Sequence, residues 1–138
     1  MDETAVSVTA AQRRLGLAVF AAINALAAWG GAIGLVTGTL GLGGIEERLP
    51  FESTVLAGIA LAVVVACPLT LLAWAAWTGS DSTGSLALVT GAMIIGWIVV
   101  QILILRTFSP FQPAYLIVGG ILVALSGRVG LGRRKDAR

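Results

Sequence analysis

The sequence predicts an all-α fold, an integral membrane antiparallel four-helix bundle, and three observations carry that prediction. Apolar residues make up 57% of the chain and charged residues only 12%, about half the charged share of a soluble domain. The apolar residues fall in continuous runs, not in the period-two alternation of a membrane β-barrel. The segments joining the runs are short, and short links turn successive helices back on one another. At a mean hydropathy of +0.96, the chain has too few ionic groups to cover its apolar surface in water, so lipid must solvate most of it.

The first span is expected over residues 15–36. No charge falls between Arg14 and Glu46, and at about 1.5 Å per residue such a run crosses a hydrocarbon core of about 30 Å. Arg13-Arg14 before an apolar run imitates a signal peptide. The preceding Asp2 and Glu3 are acidic, however, and the run continues past Ala25-Leu26-Ala27, so a retained helix is expected behind a short cytoplasmic segment, 1–14. The second span is expected over 54–77. Pro68 near its middle has no N–H for the carbonyl of Val64, which predicts a kink. The third, over 86–105, follows the turn-rich Gly79-Ser80-Asp81-Ser82-Thr83-Gly84. The fourth, over 112–127, carries Pro113 in its first turn, where a missing N–H costs nothing. A basic tail, 128–138, completes the single domain.

Orientation follows from the basic residues. With the N-terminus inside, Arg13, Arg14, Arg128, Arg133, Arg134, Lys135 and Arg138 are cytoplasmic, seven of the nine Lys and Arg. Arg48 and Arg106 remain outside, beside Glu46, Glu47 and Glu52. The positive-inside rule therefore predicts a multi-pass protein of the plasma (inner) membrane with both termini cytoplasmic. Trp74 and Trp77 sit where an inner-face aromatic belt belongs. Arg133, Arg134 and Lys135 can attract anionic lipid as well as set topology. The cluster is too short and too close to the membrane for nucleic acid.

Helices in lipid associate through close backbone approach, so small residues four apart mark packing or partner faces. The first helix carries Gly30, Gly34 and Gly38, the longest such run and the expected surface toward another chain. Gly58 and Ala62 mark the second helix and Gly96 the third, with internal packing as the alternative role for each.

Chemistry is sparse. There is no histidine, and Cys67 is the one cysteine, so disulfide, His-ligated haem and His-containing zinc sites are not expected, nor is any cofactor. Ionisable residues are missing from the centres of all four spans, although they are the usual mark of proton coupling. Small multidrug transporters share this length and helix count, but Asn24 stands at the depth of their first-helix acidic residue. Gly30-Gly31-Ala32-Ile33-Gly34 is similar to the first-helix glycine motif of fluoride channels, without the Arg-Tyr that follows it there.

The most distinctive stretch is Gly96-Trp97-Ile98-Val99-Val100-Gln101, then Arg106, then Gln112-Pro113-Ala114-Tyr115. It resembles a pattern in uncharacterised small bacterial four-span membrane proteins, a likeness that carries no activity with it. Trp97 and Gln101 share a face, and Gln101 lies near the level of Gln112 and Tyr115. A glutamine amide at that depth needs partners. The five residues Trp97, Gln101, Arg106, Gln112 and Tyr115 are therefore either a clamp between the third and fourth helices or an outer-leaflet site. The function expected is an accessory, assembly or scaffold subunit that meets lipid and other membrane subunits or itself, not an enzyme. The alternative is a small oligomeric channel or transporter lined by Asn24, Thr70 and Gln101.

Overall fold

The computed structural model describes residues 3–41, 44, 47, 53–106 and 111–136. Four helices follow in chain order: α1 (Glu3–Thr37), α2 (Thr54–Thr78), α3 (Thr83–Leu105) and α4 (Phe111–Asp136). No strand occurs among the described residues. The first three helices are long and apolar enough to cross a membrane, and α4 carries a shorter apolar stretch, Gln112–Gly127. Two helices outrun their expected spans: α1 begins at Glu3 and α4 continues to Asp136. Between Glu3 and Arg14 there is neither glycine nor proline to stop a helix, and alanine, glutamine and arginine favour one. Several sequence-based expectations concern Glu46, Arg48, Glu52, the segment 107–110 and Arg138, all of which lie outside the described residues, as do the side chains of Arg128, Arg133, Arg134 and Lys135.

Local chemistry sets the helix ends. Gly38, at φ +72°, stops α1. Its N–H donates to Leu35 O at 3.4 Å, and the Leu40 N–H donates to Gly34 O at 3.0 Å. Ser53 caps α2 by accepting from the Leu56 N–H at 3.2 Å, which satisfies one of the amides left over at a helix start. Gly79, at φ +70°, ends α2, and both its N–H and that of Ser80 turn back to Ala75 O. This double return bond is a glycine C-cap.

Inside α2 the turn before Pro68 is wider than an α-helical one. Residues Ala62–Ala66 form a π turn, and the Cys67 N–H reaches back to Ala62 O. Five-residue bonding leaves the Val63 carbonyl without its usual amide, and Pro68 has none for Val64. The wider turn admits the proline ring without breaking the helix.

On α1 the core is mostly alanine, and larger side chains from the other helices fill it. On α1 the buried positions are Leu17, Ala18, Ala21, Ala25, Ala28 and Ala32, and from Ala18 onward they repeat at alternating intervals of three and four, the spacing of a packed helix seam. Val65, Ala66, Leu69, Leu72, Ala75 and Ala76 of α2 meet them, with Ala87, Ile94 and Ile98 of α3 and Leu122 of α4. Alanines let backbones approach closely where dispersion, not exclusion from water, drives association.

Packing runs between chain neighbours: α1 along α2, α2 against α3, and α3 along α4. No comparable packing of α4 on α1 occurs among the described residues. Two glycine contacts bring these pairs closest. A Cβ on Gly58 would stand 2.8 Å from Ala32 O and 2.8 Å from Val36 Cγ2. A Cβ on Gly91 would stand 2.8 Å from Gly119 O and 2.8 Å from Val123 Cγ2.

Candidate functional site

Three features could carry function, and each can be built from its residues. The first is the outer polar group on the end of α3 and the start of α4. Trp97 and Tyr115 are half-buried and pack against the core cluster. Gln112 is buried, 5% exposed. Gln101 is half-buried, and among the described residues no side-chain hydrogen bond involves its amide. Arg106 is exposed and holds φ +48° at the end of α3, where its N–H donates to Ile102 O at 3.0 Å. No other non-glycine among the described residues has a positive φ. The left-handed region costs an L-residue about 1–2 kcal/mol, and backbone strain of this kind collects where a side chain is needed. Trp97 and Tyr115 thus pack on the core and Gln112 is buried beside them, whereas Arg106 is exposed and the Gln101 amide lacks the hydrogen bond expected of it among the described residues.

The second feature, a set of hydroxyl and indole bonds around the π turn, was only partly foreseen from the sequence. The Trp29 indole N–H donates to Thr70 Oγ1 at 3.0 Å, and that hydroxyl donates to Ala66 O at 2.7 Å. From α3, Thr90 Oγ1 donates to Pro68 O at 3.4 Å. Asn24, expected as a pathway lining, donates its amide to Phe20 O of its own helix at 2.8 Å. No buried side-chain nitrogen or oxygen among the described residues lacks a partner. Both hydroxyls bond to carbonyls other than those of Val63 and Val64, so they tie the turn to its neighbours without replacing the bonds lost at Pro68. Thr90 was missed because one threonine in an apolar run gives no signal until the facing helix is known.

The third feature is the set of small-residue faces. Gly58 makes the close contact with α1 described above, and Ala62 begins the π turn beside an open apolar groove of about 180 Å³ that Trp29 and Val36 also line. Gly34 is buried, but the side chain covering it is Leu40, from the segment just after α1, and not another helix. Gly38 lies beyond the helix as its cap, off the expected face, because its positive φ ends the helix there. Gly30 and Gly96 are exposed, with nothing within 4 Å of the place a Cβ would take, and Gly120 shares that property. Gly16 and Gly127 share it too, so open helix glycines lie on α1, α3 and α4.

No family model, curated protein or solved structure matches this chain. The roles of these residues therefore rest on their geometry and chemistry.

Proposed function

We propose that the chain is an accessory, assembly or scaffold subunit of a larger membrane complex. In this reading it is a four-span unit of the plasma (inner) membrane, with antiparallel helices and both termini cytoplasmic, and it is not an enzyme. The observation that carries the reading is the unclosed order of the helices. Each terminal helix packs on one chain neighbour, while Gly30, Gly96 and Gly120 stand open on outward faces. A glycine inside a helix weakens it unless something approaches closely, and in lipid the approaching object is another helix. A partner on these faces would close the bundle.

The alternative, a small oligomeric channel or transporter, draws support from the π turn, since such turns often mark functional positions. Against it, Asn24 and Thr70 each donate to a carbonyl of their own helix, and no acidic or basic residue lies between Arg14 and Thr37 on α1 or anywhere in α2 and α3.

Purification of the full chain from native membranes in mild detergent separates the two. Foreign subunits in fixed ratio are expected, and Gly30→Leu or Gly96→Leu should remove them while the chain still accumulates. A homo-oligomer that passes ions in liposomes would replace this reading with the alternative. Reporter fusions after Asp136 and at Gly44 should report opposite compartments. Matching reports would mean that α4, with its shorter apolar stretch, does not cross.

A further inference from the structure

We infer that the pocket between α1 and the end of α2 binds the phosphate of an anionic phospholipid, with Arg14 as its cationic group. The inference rests on the membrane-spanning reading of α1 and α2, and it is independent of which subunit the chain docks to. The pocket has a volume of about 360 Å³, and Arg14, Leu15, Ala76, Trp77, Thr78 and Gly79 line it. Its depth is set by the sequence. Arg14 is the last charge before the apolar run of α1, and Thr78 is the last residue of α2, so the pocket lies at headgroup level on whichever side of the membrane that end faces.

Arg14 is the one charged residue among those lining the pocket, and among the described residues no carboxylate pairs with it. It lies over the glycine turn that closes α2: a Cβ on Gly79 would stand 2.6 Å from Arg14 Nη1. Any other residue at Gly79 would both strain the turn and push the guanidinium away. The end of α2 presents about half a negative charge, which helps hold Arg14 in place. The full charge of the guanidinium exceeds that fraction, and its fork of N–H donors suits two oxygens of one phosphate.

The remaining lining fits a lipid better than a free anion. Trp77 is exposed, and an indole at this level sits with its apolar body toward acyl chains and its N–H toward headgroups. Leu15 and Ala76 add an apolar wall. A phosphodiester carrying acyl chains would meet both the guanidinium and these surfaces, whereas inorganic phosphate would meet only the guanidinium.

Thermal unfolding of the full chain in mild detergent, titrated with phosphatidylglycerol, phosphatidylcholine or inorganic phosphate, tests the site. Phosphatidylglycerol should raise the melting temperature saturably, and the other two should not at equal concentration. Arg14→Gln should raise the half-saturating phosphatidylglycerol concentration about tenfold, the loss expected for one charge-assisted hydrogen-bonding group. Arg13→Gln, which removes the same charge outside the pocket, and the triple change Arg133→Gln, Arg134→Gln, Lys135→Gln should each leave it within about twofold. If Arg14→Gln does not fold, Arg14→Lys keeps the charge without the fork and should still weaken binding measurably. Equal losses from Arg13→Gln and Arg14→Gln, a loss confined to the tail variant, or equal stabilisation by inorganic phosphate would overturn the inference. Whether foreign subunits co-purify is a separate result that none of these outcomes decides.

Discussion

The two closest helix contacts, α1 with α2 and α3 with α4, solve one problem with the same local arrangement and differ in one respect. In each, a glycine faces three residues at positions i, i+3 and i+4 of its neighbour: Gly58 faces Ala32, Leu35 and Val36, and Gly91 faces Gly119, Leu122 and Val123. The absent Cβ leaves room for a backbone carbonyl at the first position, and the leucine and valine close around it. At Gly91 the arrangement is reciprocal, because a Cβ on Gly119 would itself stand 3.1 Å from Gly91 O. At Gly58 the neighbour is an alanine, so closeness is supplied from one side. The reciprocal contact leaves neither helix free to yield, and the one-sided contact leaves some freedom.

That difference predicts an order of cost. Gly91→Ala should be the most damaging of the changes considered, at about 2 kcal/mol within the usual overpacking range of 1–3 kcal/mol. Gly58→Ala should cost nearer 1 kcal/mol. Unfolding of the purified variants in detergent measures both. Equal costs would show that reciprocity is irrelevant, and a larger cost at Gly58 would reverse the comparison.

The third contact, α2 with α3, has neither pattern and tests the comparison from outside. Thr90 bonds to Pro68 O across it, and interhelical polar bonds in membranes average about 0.6 kcal/mol. Thr90→Val keeps the shape and removes the bond, so a loss of about that size is expected from the same unfolding measurement. A loss as large as that of Gly91→Ala would mean that hydroxyls, not glycines, hold these helices together.

Much of the architecture was legible in the sequence because it depends on composition and length. The helices over 54–77 and 86–105 are found within a few residues at each end. What the sequence reading did not raise is the alanine face of α1, since it singled out the glycines as the surface toward another chain. Gly30, Gly34 and Gly38 form one series, and Ala18, Ala21, Ala25, Ala28 and Ala32 form another at seam spacing. The structure buries the alanines. The glycine series breaks up because Gly38 is needed to end the helix, and ending it there brings Leu40 back onto Gly34. A face cannot be read through a helix end. The π turn was equally hidden, since Pro68 announces a disturbance but not whether the chain bends or widens.

The smallest effect is expected at Gly34, where the comparison meets its control. A Cβ there would run into Leu40 Cδ1, with Cγ at 2.7 Å and Cβ at 3.3 Å, numerically tighter than at Gly58 and Gly91. The obstacle differs in kind, however. At those two positions it is a backbone carbonyl fixed in a helix, whereas here it is a side chain, 49% exposed, on a segment beyond the last turn of α1. Rotating the Leu40 side chain gives up a partly exposed contact, and alanine returns some of the backbone entropy that glycine loses in a helix, roughly 0.5–1 kcal/mol. Gly34→Ala should therefore change stability by no more than about 0.5 kcal/mol in either direction. A cost of about 2 kcal/mol, equal to that of Gly91→Ala, would show that Leu40 is as immovable as a helix backbone. The distinction between reciprocal, one-sided and yielding contacts would then fail.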